Sequence, residues 1–286
     1  MQDKTPISGG AAMNKTVLNE KKPRKKNSLT FRVYMFRMCF RILLFLFVVY
    51  IYFQRKPLLS SFTEIGFVGF FSTFGLMQLI WIVLMAGMVL QLLPVSSITM
   101  SGKKCFAAHY LEPEEKYDKA ELYRFVQIMN IKAWQVMLIW LLFNCVFGFL
   151  YLVEIIGSSE MVLLTLFYYC ADLICVMIFC PFQTFVLKNR CCVNCRIFDW
   201  GHFMMYTPML FIKSWFSWSL FFTSCIVLIR WEFLFASHPE RFWHGSNTNL
   251  RCENCKDRLC KIKTPLNEIY RHIQEDISGY FRKKKN

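Results

Sequence analysis

The residues best suited to chemistry in this chain are cysteines. RCCVNCRIFDW at 190–200 holds three of them in five positions, and LRCENCKDRLCKIK at 250–263 holds three more among basic residues. Each stretch contains the same element, Cys-x-Asn-Cys: Cys192 with Cys195, and Cys252 with Cys255. Such a pair offers two thiolates from one tight turn, and two pairs complete the tetrahedral four-sulfur set that zinc or iron prefers. Asn in the third position suits a left-handed turn residue. The 56 intervening residues exceed the roughly 15–20 of an ordinary zinc ribbon, so another element must close the gap. The expected ligands are Cys192, Cys195, Cys252 and Cys255, with Cys191 and Cys260 as spares. Zinc is the favoured ion and thiolate-bound iron the alternative. Free thiols or a local disulfide remain open. A thioredoxin-type dithiol has no strand–helix–strand context around either pair.

Other candidates are sparser. Asp172 stands inside the apolar run FYYCADLICVMIFC. An acid at that depth is costly and reads either as a functional group, as in a small-solute or ion transporter, or as a protonated acid bonded to a neighbouring helix. Lys213 is a conceivable partner. Arg41 reads as a group that snorkels to the headgroups, and Lys213 and Arg230 as groups that snorkel or pair with acids. His202, seven residues after Cys195, is either a surface histidine or an alternative ligand. No phosphate-cradling glycine loop, His-Glu-x-x-His or Gly-x-Ser-x-Gly motif occurs. No catalytic residue is assigned, and the chain reads as a non-enzymatic component, a sensor or assembly factor, with a membrane electron-transfer protein carrying thiolate-bound iron as the alternative.

These residues sit in a chain of 286 positions that is 55% hydrophobic, with 30 Phe and a net charge of +15. The apolar residues gather in long runs, the pattern of bilayer-crossing helices. The basic residues gather at the ends and in the loops, which points to anionic headgroups and a cytoplasmic side rather than to nucleic acid. Some thirty polar residues precede the first apolar run, too many for the charged start of a secretory signal. Six of the thirteen cysteines lie in apolar runs, where a thiol acts as a small hydrophobe. The remainder sit in loops expected to face a reducing compartment, which favours metal over disulfide.

The expected organisation follows. Residues 1–33 form a basic disordered tail. Residues 34–93 hold a first pair of apolar segments. Residues 94–132 form a loop with an amphipathic helix after Pro113, in which Leu122, Phe125, Val126 and Met129 share one face. Residues 133–187 form a hairpin of two spans turning at the Lys- and Arg-free GSSE. Residues 188–202 carry the first cysteine pair, and 203–235 are apolar again, broken by Pro208 and Lys213. Residues 236–286 form a basic tail with the second pair. In that tail Thr264-Pro265 starts a short amphipathic helix suited to docking a protein partner.

Counting positive charges places the N-terminus, the 94–132 loop, the first cysteine pair and the tail all in the cytoplasm. Residues 203–235 must then leave the membrane on the side they entered. At about 1.5 Å per residue, 33 residues suffice for one crossing of a core about 30 Å thick and fall short of two. Either the segment turns back and both pairs share a face, or it crosses once and they do not. Tail charge favours the first. The reading is an all-α polytopic integral membrane protein of about 4–5 transmembrane helices, with a re-entrant or interfacial segment and a cytoplasmic cysteine-knuckle region.

Overall fold

The computed structural model describes residues 28–64, 76–93, 105, 107–189, 195–255 and 259. Among these the fold is all-helical, 81% helix without a strand. Four helices are long and apolar enough to cross a membrane. The N-terminal tail, the tail helix expected after Thr264, and Cys191, Cys192 and Cys260 lie outside the described residues.

The main helices are α1, Leu29–Glu64; α2, Leu76–Leu92; α3, Lys119–Leu152; α4, Ser158–Met177; the short α5, Gly201–Tyr206; and α6, Trp215–Ser237. α1 is longer at both ends than the segment 34–53 that its apolar density marks. α3 fuses the amphipathic helix of the loop with the span that follows it. Asp118 caps α3 by accepting from Ala120 N at 2.8 Å. No glycine or proline interrupts its first half, so the polar start and the apolar remainder form one rod. α4 stops ten residues before the expected end at 187. Pro181 then starts a single π-helical turn, Phe182–Leu187, closed by Lys188 in the left-handed conformation.

Contacts between helices fix their directions. α1 and α4 are antiparallel: Arg41 meets Asp172 at 2.9 Å and Tyr52 meets Glu160 at 2.7 Å. α3 and α4 are antiparallel across the turn at 153–157. There the Glu160 carboxylate also accepts from Gly157 N at 2.9 Å and closes the α4 N-terminus. α2 and α6 run parallel, since Trp81 Nε1 donates to Ser219 Oγ at 2.8 Å and Arg230 donates to Gln91 O at 2.6 Å. Arg230 therefore satisfies a carbonyl at the C-terminal end of α2, where a cation is favoured. The starts of α1 and α3 and the finishes of α2, α4 and α6 all lie at one end, called here the near end.

Residues 201–237 form a hairpin. Its short limb is α5 followed by a 3₁₀ segment, Thr207–Phe211. Six residues at about 1.5 Å and five at about 2.0 Å carry it roughly 19 Å down the bundle. It starts beside Ala133 and Val136 of α3 and ends where Phe211 lies against Gly148. α6 then returns to the near end. The short limb is largely buried: Met205, Tyr206, Thr207 and Met209 are at most 3% exposed, while Leu210 near its tip is exposed. Met205 and Met209 join Met88 of α2, Met161 and Tyr168 of α4 and Leu220 of α6 in the main core. Irregular backbone at Pro208 is tolerable because protein encloses it. Thr207 Oγ1 donates to Phe203 O at 2.8 Å and accepts from Trp140 Nε1 at 3.1 Å.

Candidate functional site

Two places in the fold gather the residues with chemical potential. The first is the cysteine-bearing near end. Cys195 is buried in a cluster with Trp200, Trp231, Phe235, Phe242 and Leu250. Leu250 stands two residues before Cys252, so the loop carrying the first cysteine pair and the tail carrying the second pack on one apolar core. Cys252 begins a turn of 3₁₀ helix, Cys252–Asn254, and Cys255 follows it, half-buried. Among the described residues no three His, Cys, Asp or Glu side chains converge in the manner of a metal site. Of the four expected ligands, the described side chains are those of Cys195 and Cys255.

The loop after Cys195 is clamped to α6 by its neighbour. Arg196 forms a two-nitrogen ion pair with Glu232, Nη1 donating to Oε1 at 2.6 Å and Nη2 to Oε2. Its guanidinium lies 3.8 Å over the Phe235 ring. Trp200 Nε1 donates to the same Glu232 carboxylate at 2.7 Å, and Trp231 Nε1 donates to Arg196 O at 2.9 Å. Charge, π-stacking and two indole hydrogen bonds thus hold Cys195 against the membrane helices. The tail is pinned on its other side by the 107–118 loop. Thr248 N donates to Leu111 O at 2.9 Å and Asn249 Nδ2 to His109 O at 3.1 Å. Trp243 packs on Tyr117 and Phe125.

The second place is a cavity of about 360 Å³ between α1, α2, α4 and α5, toward the near end. Its polar lining includes Arg37, Arg41, Asp172, Asp199, His202 and Tyr206, with Tyr34, Gln91 and Tyr169 beside them. Arg41 Nη1 donates to Asp172 Oδ2 at 2.9 Å and to Tyr169 O at 2.7 Å, and the guanidinium stacks 3.9 Å from the Tyr169 ring centre. Asp172 is therefore an acid paired across two helices. Its partner is Arg41, where from the sequence Lys213 is only a conceivable one. His202 is neither a surface residue nor part of a metal group among the described residues. It lines the cavity, stacked parallel to Tyr206, and its Nδ1 is enclosed with no hydrogen-bond partner among the described residues. Gly201 makes this approach feasible, because a Cβ there would stand 2.6 Å from Asp172 Oδ1.

Three features escape a reading of the sequence. Cys105 is 1% exposed and belongs to the same buried cluster as Cys195. The signal available was a cysteine in the basic stretch SGKKCF. Arg196 looked like a flanking charge, and Glu232 stands alone near the finish of an apolar run. The partnership of Arg41 with Asp172 spans 131 residues and depends on which helices are neighbours.

Comparison of the chain with protein-family models, with curated proteins and with solved structures returns no match.

Proposed function

We propose that this chain is a multi-pass membrane protein whose 201–237 hairpin is re-entrant. Both cysteine pairs then lie on the cytoplasmic face, where Cys192, Cys195, Cys252 and Cys255 hold one structural zinc ion. The metal fastens the tail to the membrane domain, in a component that presents this face to a partner rather than catalysing a reaction. The observation that carries the reading is the shared packing of Cys195 and Leu250 in one buried cluster at the near end. The short limb supports the re-entrant reading, since about 19 Å falls short of a hydrocarbon core about 30 Å thick. Basic residues at both ends of the chain favour the cytoplasm for this face. Zinc stabilises such a small loop-rich region by joining segments distant in sequence, and its binding free energy adds to that of folding.

Metal analysis of the purified full chain tests this. The wild type is expected to carry about one zinc ion per chain, and Cys195→Ser and Cys252→Ser are each expected to lose it. A metal-free wild type, or metal retained in either variant, overturns the four-cysteine site. Visible absorption of the wild type would assign the same ligands to iron.

A further inference from the structure

We propose that the cavity beside the Arg41–Asp172 pair binds the phosphoryl headgroup of an anionic membrane lipid. The polar groups that border it without partners are mainly hydrogen-bond donors. Arg37 stacks on Tyr34 and makes no ion pair among the described residues. Arg41 makes both of its hydrogen bonds through Nη1, so Nη2 and Nε remain for another acceptor. The enclosed Nδ1 of His202 and the phenol of Tyr206 border the same space. Of the two acids there, Asp172 is held by Arg41, and Asp199 has contacts of its own. The uncommitted charge is thus Arg37, flanked by further donors. That set suits a singly charged, acceptor-rich phosphodiester, and guanidinium groups match its oxygens well.

The remaining walls identify the source as a lipid. Phe40 of α1 and Val83 and Leu90 of α2 line the cavity and are 54%, 57% and 40% exposed on the apolar flank of the bundle. A headgroup can enter sideways there while its chains stay among these side chains. A second, almost wholly apolar cavity of about 410 Å³ shares Asp172, Val176, Phe198, Gly201 and Met205 with the first and continues between α3 and α4. An amphiphile matches this succession of polar and apolar space, and a free phosphate ion does not. Gly87 keeps the polar cavity open, because a Cβ added there meets no atom within 4 Å.

The test is native mass spectrometry of the delipidated full chain. It is titrated in detergent with phosphatidylglycerol, with phosphatidylcholine and with inorganic phosphate. Saturable binding of one phosphatidylglycerol, about tenfold tighter than phosphatidylcholine, is expected. Arg37→Gln should weaken it about tenfold, the loss of one charge-assisted hydrogen bond. Gly87→Leu should weaken it comparably by filling the space while the melting temperature holds. Arg124→Gln, at an exposed position on α3, should leave it unchanged. Equal binding of the two lipids, unaltered binding in both cavity variants, or displacement of the lipid by inorganic phosphate overturns the proposal.

Discussion

Arg196 is 4% exposed while its partner Glu232 is 39% exposed, so the pair is asymmetric. Removing the arginine strands a carboxylate that still reaches solvent and takes away the cation over Phe235 as well. Arg196→Met is therefore expected to cost about 3 kcal/mol, the low side of what breaking a buried pair costs. Adding Glu232→Gln to it should recover part of the loss, because the stranded charge is gone. Thermal melts of the two variants in detergent check this, and a double variant no more stable than the single one would contradict it. At this scale the sequence was half legible. It marked Asp172 as an ionisable group deep in an apolar run and Cys195 as half of a thiolate pair. It left the partners open, because a charge pair joins residues whose helices meet only in the folded bundle. It passed over Cys105, since a lone cysteine in a loop has no pattern to stand out from.

At the scale of elements, the informative feature is the seat of the hairpin against α3. A Cβ on Gly148 would overlap the Phe211 ring, so the α3 glycine is what lets the hairpin tip lie flush. Gly148→Ala is expected to push the tip away and destabilise the protein by about 1–2 kcal/mol, an overpacking cost. Phe211→Ala in the same chain should restore most of the loss, a coupling that independent sites do not show. Denaturation of the two single variants and the double variant measures it, and strictly additive losses would contradict the seating. Helices were visible in the sequence as apolar runs; their ends were less so. α1 runs past its apolar core, and α3 joins a polar amphipathic start to a span without a break. The α3 junction holds no residue that would stop a helix, and α1 continues through Pro57, a residue that ordinarily breaks one. The stop at Met177 came early because Pro181 and the π-turn lie within an apolar stretch that hydropathy reads as one piece.

For the whole molecule, everything depends on the side from which each segment emerges. Hydropathy alone left the 203–235 segment able to cross once or turn back. The fold returns it to the near end through a short limb of α5 and the 3₁₀ segment, packed among α2, α3, α4 and α6. Such an arrangement reads as one ambiguous run because both limbs are apolar for different reasons: α6 has one flank outside the bundle, and the short limb is largely buried within it. The measurement that bears most directly on the account is labelling of sealed vesicles with a membrane-impermeant maleimide. Labels gained over the parent chain by Lys188→Cys, Arg251→Cys and Ile155→Cys, three exposed positions, report on the two cysteine regions and the opposite end. The account predicts that Lys188→Cys and Arg251→Cys react from the same side and Ile155→Cys from the other. Reaction of Lys188→Cys and Arg251→Cys from opposite sides would contradict it and would place the two cysteine pairs beyond reach of a common ion.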